Sequence, residues 1–147
     1  MKFRFRFKSL LAYRAHRKER AEAALGRARQ RLRRDREKRV ALKNRFREAG
    51  EELRALLKKE GSADLLRSYA DFLSDLERRM DAQERVITRR EKEVHESLQE
   101  VLARTRETRI IEKLKERDRE VWLHDQRRQE QKALDELAVI RHGKISV

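Results

Sequence analysis

Apolar residues recur about every seven positions along two stretches of the chain, which meet at Lys58-Lys59-Glu60-Gly61-Ser62. In the first stretch Leu11, Leu25, Leu32, Phe46 and Leu53 share one heptad position, and Phe7, Ala21, Ala28, Leu42, Ala49 and Leu56 share the complementary one. In the second, Leu66, Leu73, Met80, Ile87, Val94 and Val101 fall at intervals of seven, with Tyr69, Leu76 and Ile111 on partner positions. A seven-residue repeat is slightly shorter than two turns of a straight helix, so holding it in register winds two helices round each other left-handedly. The pattern predicts an all-α fold: a long antiparallel two-helix coiled-coil hairpin with unequal arms. It reads as one domain over residues 1–147, with a first arm at about 9–59, a turn at about 60–62, a second arm at about 63–142 and a frayed tail at 143–147.

The join carries the residues a reversal needs. Lys58 and Lys59 suit a helix C-terminus, Gly61 accepts the left-handed conformation, Ser62 caps the next helix and Asp64 sits in its first turn. Gly26 and Gly50 lie inside the first arm without other turn residues beside them and are expected to be helical, as the chain contains no proline. Gly143 is the expected stop of the second helix, with Arg141 and His142 in its last turn.

Pairing outward from Gly61 brings the start of the first arm opposite a point near residue 120. That leaves roughly 20 helical residues unpaired, about 30 Å at the rise of an α-helix. This overhang contains Trp122, Leu123, Leu134, Leu137, Ala138 and Ile140, an apolar set that an isolated helix exposes only where a partner covers it. At the other end, Phe3-Arg4-Phe5-Arg6-Phe7-Lys8 alternates aromatic and cationic residues. A lone six-residue strand has nothing to pair with here, so an extended lead-in or a fraying first turn before Ser9 is expected. Its phenylalanines can pack on the overhang, dock in a partner, or lie on a membrane surface. Arg14, Lys18, Asp35 and Arg39 stand at seam positions where apolar residues are expected, and polar seam residues can fix register at a cost in stability.

Composition narrows the function classes. Of 147 residues 46% are charged and 5% aromatic, so a globular core enclosing a substrate is improbable, whereas a coiled coil needs only a narrow stripe. The sustained heptads argue against the disordered chain that such polarity otherwise suggests. Without cysteine there is no disulfide and no thiolate-ligated metal, which fits a reducing compartment, and no apolar run is long enough to span a bilayer. A cytoplasmic protein is expected. The charge is lopsided: residues 1–60 hold 22 Lys and Arg against 8 Asp and Glu, while residues 61–147 hold 19 of each. One arm therefore offers a basic flank, densest from Arg27 to Arg47, toward which anionic partners would be steered.

Candidate chemistry is sparse. There is no phosphate-binding loop, and His16, His95, His124 and His142 are scattered rather than paired at ligand spacing. No catalytic residue, metal site or cofactor is expected. The acidic residues lie among Lys and Arg, where pairing three or four residues along a helix is their ordinary use.

The two ends and the heptads together resemble the FliJ family, stalk components of the flagellar type III export ATPase complex. The resemblance runs over essentially the full length. It is carried most specifically by Phe3-x-Phe5-x-Phe7-x-x-Leu10-Leu11-x-x-Arg14, and by Arg128-Gln129-Glu130-Gln131-Lys132-Ala133-Leu134-Asp135-Glu136 followed by Arg141. It implies a fold similar to the coiled-coil stalk of rotary ATPases, with both chain ends entering the central hole of a hexameric export ATPase and promoting ring assembly. It also implies that the far end of the hairpin contacts the cytoplasmic domain of the membrane-embedded export gate, and that the family handles export chaperones. The protein is then expected at the flagellar base, peripheral to the inner membrane, binding no nucleic acid. On that resemblance Phe3, Phe5, Phe7, Leu10, Leu11, Arg14, Glu130, Lys132, Asp135, Glu136 and Arg141 belong to the ring-facing end. Leu42, Phe46, Phe72, Leu76, Arg79 and Gln83 would face the gate. Leu42, Phe46 and Leu76 also match the seam, and heptad placement makes the core reading the stronger one for them; Arg79 and Gln83 are polar where an apolar contact would serve better, and Phe72, one residue before a seam leucine, is the strongest interface candidate of the six.

Two other readings remain open at this stage. A basic coiled coil can bind nucleic acid, which would show as steep salt dependence, although few aromatics are available for base stacking. The equivalent stalk of a virulence type III secretion system would have the same architecture.

Overall fold

The computed structural model describes residues 2–59 and 62–145, and contains two helices, α1 (Lys8–Lys58) and α2 (Ala63–Ile145). They are 51 and 83 residues long, so the arms of the hairpin are unequal, as the heptads predict. Residues 2–5 lead in without regular structure, and α1 starts one residue before Ser9, where Leu11 N–H donates to the Phe7 carbonyl at 2.9 Å. The expected left-handed Gly61 lies outside the described residues. Beyond it, Ser62 caps α2: its Oγ accepts from the Asp64 N–H at 3.2 Å and its carbonyl from the Leu66 N–H at 3.2 Å. Gly26 and Gly50 are helical. α2 also continues through Gly143 to Ile145, where the sequence suggests a stop. A glycine within a helix costs only about 1 kcal/mol against alanine, too little to end it without further breakers.

The chain divides into two compact units, one of residues 20–102 and one of residues 1–19 with 103–147, and both helices pass through both units. In each, cross-helix contacts show antiparallel pairing, because partner numbers rise as α1 numbers fall. In the unit of residues 20–102 these are Arg45 on Phe72, Arg39 with Glu84 and Asp35 with Arg90. In the other they are Arg14 with Glu107 and Phe3 with Trp122.

Every buried residue among those described occupies one of the two heptad positions. Ala21, Leu25, Ala28, Leu32, Asp35, Ala49, Leu76 and Ile87 form the seam of the first unit, and Thr108 and Ile111 that of the second. The α1 side is rich in alanine at the partner position, which lets the helix backbones approach while the leucines and Ile87 fill the alternate layers. Such a narrow seam buries few side chains per turn, so its polar interruptions weigh heavily.

The largest interruption centres on Asp35, which is buried. Arg90 Nε donates to Asp35 Oδ2 at 2.9 Å, Gln83 Nε2 donates to the Asp35 carbonyl at 2.8 Å, and Arg90 Nη1 reaches Glu93 at 3.1 Å. The Arg90 guanidinium holds the Asp35 carboxyl below the ordinary carboxylate range, its hydrogen bond outweighing the opposing effect of burial. A slip of one heptad would bring Arg90 opposite Ala28 or Leu42 and leave Asp35 buried without its cation. The layer therefore selects one register, at the expense of the apolar packing it replaces.

Candidate functional site

Two surfaces carry the residues singled out by the sequence. The first belongs to the unit that contains the chain ends. Phe3 packs on Trp122 with ring centroids 5.9 Å apart, and Phe5 meets Phe7 edge-on at the same separation. Phe7 and Leu10 remain on the surface, whereas Leu11 is half-buried in the seam. Arg14 points across the helices: its Nη1 donates to the Glu107 carbonyl at 3.0 Å. Arg104 and Arg17 draw the Glu107 carboxylate into the same polar layer, and the Arg104 hydrogen bond holds Glu107 below its ordinary pKa. Arg14 is thus tied into the hairpin itself.

On α2 no residue described after Gln126 is even half-buried. Glu130, Lys132, Asp135, Glu136 and Arg141 are all exposed, with Asp135 accepting from Gln131 Nε2 at 3.1 Å. Leu134, Leu137 and Ile140 are 60%, 57% and 55% exposed. At 100° per residue these three and Ala133 and Ala138 cover one side of α2, while Lys132, Asp135 and Glu136 fall away from that side. A helix keeps such a stripe in water only at a free-energy cost, which a partner would relieve.

The second surface lies near the turn in the unit of residues 20–102. Phe72 is half-buried beneath the Arg45 guanidinium, 5.0 Å from the ring centroid, and Arg45 also reaches Glu48 and Glu52. Tyr69 hydrogen-bonds Glu52, which raises the phenol above its ordinary pKa. With Leu65 these residues border an open groove of about 240 Å³. The other residues named for this end are placed differently. Leu42 and Phe46 are half-buried in the seam, and Leu76 is 2% exposed, with no surface to offer. Arg79 pairs with Asp75 at 3.0 Å within α2, and Gln83 is the seam donor to Asp35. Phe46 and Phe72 are both half-buried aromatics, but Phe46 lies in the seam, whereas Phe72 stands one position off it with a guanidinium over its face.

Among the partners of the polar seam, sequence reasoning named Gln83 for the gate-facing surface and passed over Arg90 and Arg104. Gln83, Arg90 and Arg104, with Ser97 between the last two, occupy successive places of one heptad position between Leu76 and Ile111. The signal was available, as a break in the apolar run of α2 opposite the break in α1.

Among the described residues no helix is long and apolar enough to cross a membrane, and no three His, Cys, Asp or Glu side chains are grouped to hold a metal ion. No curated protein significantly matches the chain. In fold it is similar to a protein of Chlamydia trachomatis, CT670, described as a YscO homologue: TM-score 0.64, 24% identity, 96% of each chain covered. The profile of the flagellar FliJ protein matches residues 2–144. A match over nearly the whole chain, on a two-helix hairpin with motif-bearing ends, means that this chain belongs to the flagellar FliJ protein family, a coiled-coil component of type III export.

Proposed function

We propose that the chain is a non-catalytic stalk of the flagellar type III export ATPase. Its chain-end unit enters the central hole of the hexameric ring and promotes ring assembly, while the turn end faces the cytoplasmic domain of the export gate and couples the two. The observation that carries this reading is the bare apolar stripe Leu134, Leu137 and Ile140 on α2, in the same unit as the exposed Phe7 and Leu10 at the start of α1. A ring interior would cover both at once. Phe72 under Arg45 is the residue best placed to meet the gate, and the charged sides of α2 leave room for export chaperones. The protein would then work at the flagellar base, held to the membrane only through the export apparatus.

The test is reconstitution with the purified export ATPase. Adding the chain should increase the fraction of hexameric rings seen by electron microscopy and raise ATP hydrolysis. Unchanged ring formation and turnover would overturn the reading.

A further inference from the structure

In the chain-end unit the lead-in lies against α2, and an open cleft of about 710 Å³ runs between them. Five cations line it: Lys2, Arg4 and Lys8 from the first segment, Lys115 and Arg119 from α2. No carboxylate does, and no ion pair links any of the five to an acidic residue among those described. The cleft also has an aromatic side, because Phe3 on Trp122 and Phe5 border the same space. Elsewhere in the molecule the arginines near the seam find carboxylates, as Arg39, Arg90 and Arg104 do. Like charges held around one concavity repel one another, and an anion entering it relieves that repulsion.

We propose that this cleft binds an acidic segment of a partner protein, one that brings carboxylates to the five cations and an apolar side chain to the rings of Phe3, Phe5 and Trp122. The shape favours a protruding polypeptide. A lipid surface is flat and would reach the rim but not the rings on the inner side. A nucleotide is typically cradled by main-chain N–H groups at a glycine-rich loop or helix start, whereas here the positive charge comes only from long, solvent-exposed side chains. Carboxylates on an extended segment can meet such mobile cations one by one, and the rings then supply the apolar contact that distinguishes the segment from a merely acidic one. The inference concerns the chemistry of the segment and holds whichever protein carries it, so its failure is read separately from that of ring insertion.

Trp122 is the single tryptophan of the chain, so its fluorescence reports this cleft alone. The full-length protein is titrated at low and physiological salt with a Glu-rich peptide bearing one leucine, and with the same peptide carrying Gln for Glu. The Glu peptide should shift Trp122 emission saturably and bind about tenfold tighter than the Gln peptide, with the difference shrinking as salt rises. Lys115→Gln/Arg119→Gln should weaken the Glu peptide about fivefold, whereas Lys43→Gln/Arg47→Gln, which removes two charges far along α1, should leave it unchanged. Helical circular dichroism of both variants should match the parent, so that loss of binding is not loss of fold. The proposal is overturned by equal binding of the two peptides, by equal weakening in both double variants, or by absence of a Trp122 response. It is likewise overturned if ATP or phosphatidylglycerol vesicles saturate the Trp122 response at lower concentration than the Glu peptide.

Discussion

Two stretches of α2 have similar helical amphipathicity and opposite fates. Leu76 and Ile87 are almost completely buried against α1, while Leu134, Leu137 and Ile140 stand more than half exposed. Nothing in local helix propensity distinguishes the two; the presence or absence of a facing α1 does. The comparison separates residues that hold the hairpin together from residues that are available to something else.

The sharpest way to break this comparison is to truncate one residue from each stretch. Leu76→Ala or Ile87→Ala should cost about 3 kcal/mol, as large-to-small changes at buried sites do. Leu134→Ala or Leu137→Ala should cost less than about 0.5 kcal/mol, as exposed substitutions do. Urea unfolding followed by circular dichroism measures both. The paired test on function runs the other way: Leu134→Asp/Leu137→Asp should leave the unfolding midpoint in place and abolish stimulation of the export ATPase. A variant that keeps full stimulation would detach the exposed stripe from ring binding.

Within the buried stretch, the Asp35 layer should be next in size. Asp35→Ala should destabilise by about 2 kcal/mol, because it leaves the Arg90 guanidinium facing the seam without its carboxylate acceptor. Its titration gives a direction as well. The folded Asp35 carboxyl binds a proton less readily than the unfolded one, so near the unfolded pKa of about 4 the unfolded chain holds more protons and stability rises with pH. The contribution is complete above that value and fades as pH falls through it toward the lower folded value. Glu107, held down chiefly by Arg104, acts in the same direction. Urea midpoints should therefore drop as pH falls from about 5 to 3, and Asp35→Asn should flatten the dependence. A slope identical in the variant would remove Asp35 from the account.

The smallest effect concerns the helical glycines. A Cβ at Gly26 or Gly50 would meet nothing within 4 Å, and the backbone there is helical. Gly26→Ala and Gly50→Ala should each stabilise by about 0.5–1 kcal/mol through helix propensity and a less flexible unfolded chain. Thermal melting is the readout, and a fall in either would mean that the glycine serves a packing role that the structure does not show.

Much of the fold was legible because a coiled coil writes its tertiary contact into a one-dimensional repeat. Leu25, Leu32 and Ile87 could be assigned to the seam from spacing alone, and Ser62 with Asp64 gave the start of α2 from capping chemistry. The candidate site was less legible. Leu76 and Phe72 lie four residues apart and both were named for the gate-facing end, with the seam the stronger reading for Leu76; Leu76 is sealed in the seam and Phe72 remains under Arg45 at the surface. Arg14 matched a terminal motif, and its guanidinium turned out to reach the Glu107 carbonyl. Phe72 and Leu76 differ by only about 40° round the helix, and in so narrow a seam that offset is enough to leave one at the surface and seal the other.

The amino-acid sequence by itself determined that this chain forms two unequal, antiparallel helices, because the seven-residue period, the capping residues and the absence of proline act over short distances along the chain. Only the tertiary structure decided which residue of α1 faces which residue of α2. Asp35 meets Arg90 and Gln83, and Phe3 meets Trp122, through contacts 48 to 119 residues apart in sequence that no local pattern encodes. Register is a property of two surfaces brought together, fixed by the buried polar layer that is satisfied in a single alignment.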